Sequence, residues 1–286
     1  MRDSQQSART VERQAMKGKI RVGIGGWTYE PWRGTFYPKG LAQKGELEYA
    51  SRRLTSIEIN GTYYGTQKAE SFARWREETP EGFVFALKGP RFTTNRRILA
   101  EAGGSIERFF ASGVMHLKEK LGLNWQFLPA KQHDPADFET FLKLLPTSIE
   151  GRRVRHVVEV RHDSFRTGEF VDLLRAYGIG IVLTDKDGFP HIPDVTSSFV
   201  YARLQRSSED EENGYPVDAL DVWAKRAFAW SRGSVPNDIE PLTAPEKKPP
   251  KSRDVFIYFI NGFKPKAPAA AMALIESFSA LAHRSR

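Results

Sequence analysis

The stretch VVEVRHDSF, residues 157–165, decides how this chain folds. A β-branched apolar run, the composition of a buried strand, acquires a carboxylate, a guanidinium and an imidazole between Glu159 and His162. Side chains alternate across a strand, so Glu159 and Arg161 share one face and point into one space. Charges placed there are costly unless they are paired or working.

Working outward, the same design recurs until eight apolar strands have been counted. Towards the N-terminus, LNWQFLP (residues 123–129) carries Gln126 near its end, and FVFALKG (83–89) ends on Lys88. TSIEIN (55–60) places Glu58 and Asn60 on one face, and IRVGI (20–24) breaks at Gly25-Gly26 before Trp27 and Tyr29. Towards the C-terminus, IGIVLTDKD (179–187) exits through Asp185, FVYARL (199–204) carries Tyr201 and Arg203 on one face, and DVFIYFIN (254–261) ends on Asn261.

Helical patterns fill the intervals. Residues 105–121 place Phe109, Phe110, Val114, Leu117 and Leu121 at helical spacing, with Gly122 in the position of a terminating glycine. Asp134 followed by Pro135 reads as an N-cap and first turn of a helix reaching about residue 145. Gly178 should stop a helix over 169–177, and further helices are expected over 46–53, around Phe72 and Trp75, over 218–231 and from an alanine-rich C-terminal stretch. The polar, aperiodic residues 1–18 read as a mobile tail. The proline- and lysine-rich residues 233–253 look too polar to pack, and the acidic loop 207–214 reads as a solvated charge run.

Strands alternating with helices imply βαβ units and a parallel sheet. Eight such units in under 300 residues close most economically into a single α/β domain over residues 19–286, a TIM-type (β/α)8 barrel behind a disordered N-terminal tail. A doubly wound open sheet is the alternative, but VGIGGW lacks the third glycine of its phosphate-binding fingerprint. In a barrel the strand exits converge, so Trp27, Glu58, Asn60, Lys88, Gln126, Glu159, Arg161, Asp185, Arg203 and Asn261 are expected around one pocket.

Seven ordered stretches also carry a family resemblance. GIGGWTYEPWRGTFYP, IEINGTYY, FVFALKGPRFTTN, LNWQFLP, VVEVRHDSF, FVYARL and VFIYFIN resemble the successive motifs of the YecE-like family, also called domain of unknown function 72. The resemblance runs over residues 20–281 and implies a TIM-barrel-type fold; it implies no established activity. Where many members of that family read threonine-histidine this chain has Thr94-Asn95, and where they read arginine-leucine-histidine-glycine it has Arg203-Leu204-Gln205-Arg206. Two imidazoles that a family mechanism would draw on are therefore missing.

The candidate chemistry is acid/base work without a cofactor, of hydrolase type, on a small anionic or sugar-like molecule. Glu159 is the expected base, or the group that orients Arg161, with Glu58 or Asp185 as the complementary acid. Lys88, Arg161 and Arg203 would hold a phosphate, sulfate or carboxylate, with Asn60, Gln126 and Asn261 as further contacts. Trp27, Tyr29 and Tyr63 are the rings available for stacking. The competing structural reading is a salt-bridged mouth in which Glu159 and Arg161 merely lock neighbouring strands. Glu58, Glu159, His162 and Asp185 are ligand types for Mg²⁺ or Mn²⁺, yet no HxH or HExxH spacing occurs and His162 alternates away from Glu159, so no metal is expected. No Gly-x-Ser-x-Gly elbow or phosphate-cradling loop is present.

A net charge of +8 makes nucleic acid an alternative partner, gripped by the arginines of residues 91–97, Arg206 and the lysines near 247–251. A non-catalytic ligand-binding protein is a third reading. The chain has no cysteine, which removes disulfides, thiolate metal sites and cysteine nucleophiles. No run approaches the roughly 18 apolar residues that cross a bilayer, and the N-terminus lacks a signal-peptide core, so a cytoplasmic protein without a membrane partner is expected. The sequence sets no oligomeric state.

Overall fold

The structure, a computed structural model, describes residues 18–246 and 248–284. All but the last residue of the expected tail lies outside that range. Gly18 itself is docked, its N–H donating to the Ser231 carbonyl at 2.9 Å.

Eight parallel strands close into one barrel: β1 (Ile20–Gly25), β2 (Ser56–Ile59), β3 (Val84–Lys88), β4 (Leu121–Gln126), β5 (His156–Glu159), β6 (Gly180–Thr184), β7 (Phe199–Leu204) and β8 (Asp254–Phe259). Each strand pairs with its sequence neighbours, and β1 pairs with β8 from Ile20 opposite Val255 to Ile24 opposite Phe259, which leaves no sheet edge open. Alternation divides the apolar side chains into two clusters. Ile24, Ile57, Phe85, Val158, Leu204 and Ile257 belong to the large layer beneath the helices, whereas Val84, Ala86, Val157, Val182, Tyr201, Phe256 and Tyr258 form a smaller one inside the barrel.

The outer layer consists of α1 (Glu46–Ser51), α2 (Ala69–Glu78), α3 (Gly103–Ala111), α4 (Pro135–Leu144), α5 (Gly168–Tyr177), α6 (Val217–Ser231) and α7 (Ala267–Arg284). Local chemistry sets several ends as the sequence implied. The Asp134 carboxylate accepts from the N–H groups of Ala136 and Asp137, both at 3.1 Å, and Gly178 stops α5 with φ of +62°.

Several expectations fail. The helix over 105–121 breaks at Gly113, which takes φ of +99° and where a Cβ would lie 2.6 Å from that of Ala69 on α2. The chain continues as a 3-10 segment, Val114–Lys120, and Gly122 lies inside β4 rather than ending a helix. At its end the Lys120 ammonium donates to the carbonyls of Arg76 and Thr79 at 2.7 Å, capping the C-terminus of α2.

A further correction concerns residues 233–253. The connection from β6 to β7 contains no helix, and this polar segment takes part in covering the resulting gap. Asp194, between β6 and β7, accepts from the backbone N–H groups of Leu242 and Thr243 at 2.8 and 3.1 Å and from the Thr243 hydroxyl at 2.7 Å. Ile239 and Leu242 pack on the main core. The acidic loop is also tied down, because Lys266 Nζ donates to the carbonyls of Glu209 and Glu211, both at 2.6 Å.

Candidate functional site

At the C-terminal end of the barrel, inward-facing positions of β2, β5 and β7 bring Glu58, Glu159 and Arg203 together. Their exposures are 0%, 1% and 2%. Arg203 forks onto Glu58, Nε to Oε2 and Nη2 to Oε1 at 3.1 Å each, and its Nη1 donates to Glu159 Oε2. Glu58 Oε2 also accepts from Tyr201 Oη at 2.6 Å and Asn124 Nδ2 at 3.0 Å. Glu159 Oε1 accepts from Arg161 Nε at 2.7 Å, and Arg161 Nη2 donates to Gln126 Oε1 at 3.1 Å.

Burial alone would raise the Glu159 carboxyl, but Arg203 and Arg161 outweigh it and hold the group below the ordinary range. Burial likewise works against the Arg203 charge, and Glu159 and Glu58 together push it above its usual value. The Glu159 carboxylate is therefore ionised, and every oxygen of Glu58 and Glu159 is engaged by a donor.

Lys88 differs from its neighbours. Among the described residues its ammonium makes no hydrogen bond or ion pair; its one close contact is the face of Tyr63, 5.4 Å from Nζ to the ring centroid. Burial lowers its pKa to about 8, with Arg203 and Arg161 adding to the effect and Glu58 and Glu159 opposing it. In the same layer two atoms are fully buried without partners, Gln126 Nε2 and Asn124 Oδ1, whereas Lys88 itself is only partly buried. Asn60, just beyond β2, reaches the exit of β1, where a Cβ on Gly25 would lie 3.2 Å from its Nδ2.

Other expected members lie apart from this network. Asp185 accepts from the Gln205 backbone N–H at 2.6 Å and the Tyr215 hydroxyl at 2.8 Å, and burial raises its pKa. It makes no bond to Glu58, Glu159 or Arg203. Trp27 packs edge-on against Trp75 and Phe85, with centroids 5.1 and 6.3 Å away, and Tyr29 packs against Trp32 at 5.1 Å. Both rings are half-buried and joined to the outer core. Of the three stacking candidates only Tyr63 adjoins Lys88. Asn261 is exposed, and its carbonyl accepts from Ser207 Oγ at 2.8 Å.

Sequence reasoning missed Tyr201 and Asn124 as members of the site. The signal was present: each lies two residues before a predicted member, Arg203 and Gln126, on the same strand face. Asn95, at a position where the resembled family carries histidine, accepts from the Tyr63 hydroxyl at 3.3 Å. Gln205, at the other such position, donates to Thr184 Oγ1 at 3.1 Å. His156 is structural: buried, with its pKa lowered to about 4 by burial, it accepts from Trp125 Nε1 at 3.1 Å. Among the described residues no group of three or more Asp, Glu or His side chains is placed to hold a metal ion, and no helix is long and apolar enough to cross a membrane.

A closed eight-stranded parallel barrel with its charged groups gathered at the strand exits defines a TIM-barrel protein. Residues 21–285 match the family described as "Protein of unknown function DUF72", and the chain belongs to that family. The UPF0759 protein YecE of Escherichia coli K12 is 29% identical over 149 residues, 51% of this chain and 50% of that protein, so the chain spans about half the length of this curated relative. YunF of Bacillus subtilis is 30% identical over 69 residues, 24% of this chain and 23% of that protein. Among solved structures, a DUF72 protein from Thermotoga maritima superposes with a TM-score of 0.67 at 22% identity over 93% of this chain and 99% of that one. SacUVDE gives 0.54 at 8% identity over 92% and 99%, a likeness of fold alone.

Proposed function

We propose that the C-terminal mouth binds a small anionic or sugar-like molecule and carries out hydrolase-type acid/base chemistry on it, with Lys88 as the group that holds and protonates the substrate. The supporting observation is the unpaired Lys88 ammonium, partly buried among four charged side chains, next to a layer in which Gln126 Nε2 also lacks an acceptor. A buried donor without a partner costs roughly 1–3 kcal/mol, and an oxyanion or sugar hydroxyl would relieve that cost. With its pKa near neutrality Lys88 is suited to proton transfer, whereas Glu58 and Glu159 have every oxygen engaged. In this reading Glu159 orients Arg161, Glu58 orients Arg203, and Arg161 supplies the forked contact to the anion. Asp185 holds the loop after β6.

The experiment is titration with inorganic phosphate, sulfate and simple sugars, followed by a panel of p-nitrophenyl phosphates and glycosides, on the intact chain and on Lys88→Met. Binding in the parent that falls at least tenfold in the variant, with Tm changed by only a few degrees, supports the reading. Affinity should also decline as pH rises through about 8, where the ammonium is lost. Equal binding by both proteins, or none by the parent, removes it.

A second reading has its own observation. Tyr64 and Phe92 are 65% and 56% exposed, and the Arg91 guanidinium lies 5.7 Å from the Phe92 centroid, with Arg96 and Arg97 following in the chain. Exposed rings interleaved with cations suit unpaired bases and their phosphates. Gel retardation of single-stranded RNA or DNA at low salt, lost on replacing Arg91 and Arg97 by alanine, would support it; no retardation removes it.

A further inference from the structure

The opposite end of the barrel holds a cavity of about 350 Å³ that the chemistry above does not use. It is lined inside the barrel by Val84, Ala86, Val157 and Phe199 and reaches the rings of Tyr201 and Tyr258. Those rings separate it from the charged layer above, since their hydroxyls bond Glu58 at 2.6 Å and Ser56 at 2.6 Å. The room comes from small residues at inward-facing positions. A Cβ on Gly122 would meet nothing closer than 3.5 Å, and Ala86 stands beside it in the strand pairing.

Five cations line this cavity, Arg21, Lys118, Arg152, Arg153 and Arg155, against two carboxylates, Asp254 and Glu119. Both carboxylates are engaged: Asp254 takes Arg155 at 2.8 Å and stands 3.5 Å from Arg21, while Glu119 takes Arg76 at 3.1 Å. Arg152 and Arg153, on a two-stranded hairpin with Ser148–Ile149, are exposed and have no carboxylate within 4.0 Å among the described residues. Arg21 is only 8% exposed, and its Nη1 is buried without a hydrogen-bond acceptor. Its guanidinium lies over Phe256 at 5.3 Å, and that of Arg155 over Phe199 at 5.8 Å, so the cations and the apolar wall form one surface.

The N-terminal face of such barrels ordinarily serves stability, through filled interiors and paired charges. Here a cavity opens into the interior, one nitrogen of a buried guanidinium, Arg21 Nη1, lacks a hydrogen-bond acceptor while its Nε donates to the Gly82 carbonyl at 3.3 Å, and positive charge is in excess. We infer that this cavity is a second ligand site, which takes an organic anion with a flat apolar body and a carboxylate or phosphate head. The body lies between Val84, Val157 and Phe199, and the head meets Arg21 and Arg155 at the rim. An aromatic body of one or two rings matches the volume and the Phe256 and Phe199 faces.

The test is calorimetric titration of the intact chain with 2-naphthoate, with neutral 2-naphthamide as the apolar control. The expected result is saturable 2-naphthoate binding at least tenfold tighter than that of the amide, because the charge-assisted contacts are available only to the anion. Arg155→Gln should weaken it about tenfold. Ser198→Trp, which places a bulky ring at an exposed residue of the opening, should abolish it with Tm unchanged. Lys88→Met, at the other end, should leave it unchanged. No binding of 2-naphthoate, equal binding of the amide, or binding untouched by both Arg155→Gln and Ser198→Trp overturns the inference. So does a loss on Lys88→Met equal to that on Arg155→Gln, which would place the ligand at the C-terminal mouth.

Discussion

The two ends of this barrel handle charge in opposite ways. At the C-terminal mouth, acids and bases are buried together and neutralise one another, leaving the Lys88 ammonium and the amide atoms Gln126 Nε2 and Asn124 Oδ1 without partners. At the N-terminal opening, the carboxylates are occupied, the cations outnumber them and the space between is empty. The first end is tightly packed around an ionic lock and the second is loosely packed behind a cationic rim, so equivalent substitutions should behave differently at each.

The largest contrast comes from removing an arginine. Arg203→Met leaves Glu58 and Glu159 buried without their shared cation, and breaking such a pair costs about 3–5 kcal/mol. Arg155→Met at the other end breaks a pair whose arginine side chain is 42% exposed, so under about 1 kcal/mol is expected. Urea unfolding of the two variants measures both. Equal losses would show that the two ends are not differently built.

Lys88 sharpens the contrast through pH. Its folded pKa is about 8 and its ordinary value 10.5, so between those limits the unfolded chain binds the proton more tightly. Parent stability should therefore climb as pH rises from about 8 towards 10.5, and Lys88→Met should lack that component, a difference of up to about 3 kcal/mol. Unfolding both proteins at pH 7.5 and 10 and comparing the two changes reads it directly. Parallel changes in the two proteins would show that Lys88 is a solvated strand-end lysine.

How much of this was legible depended on range. Period-two alternation put Glu58, Glu159 and Arg203 on inward faces, and eight repeats implied that those faces meet, so their convergence could be read before any coordinates, but the pairing of Arg203 with both carboxylates could not. Asp185 obeys the same rule yet belongs elsewhere, because its partners Gln205 and Tyr215 lie 20 and 30 residues on and no local pattern announces them. The anchoring of residues 233–253 was hidden for the same reason: Asp194 meets Thr243 across 49 residues. The cavity left no trace in any single segment, since it is the sum of small side chains on several strands.

Glycines carry the comparison to smaller effects. Gly89, just beyond β3 at the C-terminal end, has no room for a side chain: a Cβ would lie 2.1 Å from Trp125 Cε3, inside a buried ring that cannot retreat. Gly89→Ala should cost about 1–3 kcal/mol, the usual penalty of overpacking. A Tm within a degree of the parent would show that the ring can shift after all.

Gly122 is the counterpart at the open end, and there the sign reverses. It lies in β4 without a positive φ, and a Cβ would make only ordinary contacts, 3.5 Å from the Phe85 carbonyl oxygen and 3.9 Å from Val84 Cγ1. Alanine costs the folded chain nothing there and narrows the choices of the unfolded one, so Gly122→Ala should stabilise by about 0.4–1 kcal/mol. The added methyl also begins to fill the cavity, which ties stability to ligand capacity: larger residues at this position should reduce 2-naphthoate binding before they reduce Tm. Destabilisation by alanine would mean that the interior at this end is already closed. The difference between the two ends would then lie in charge alone.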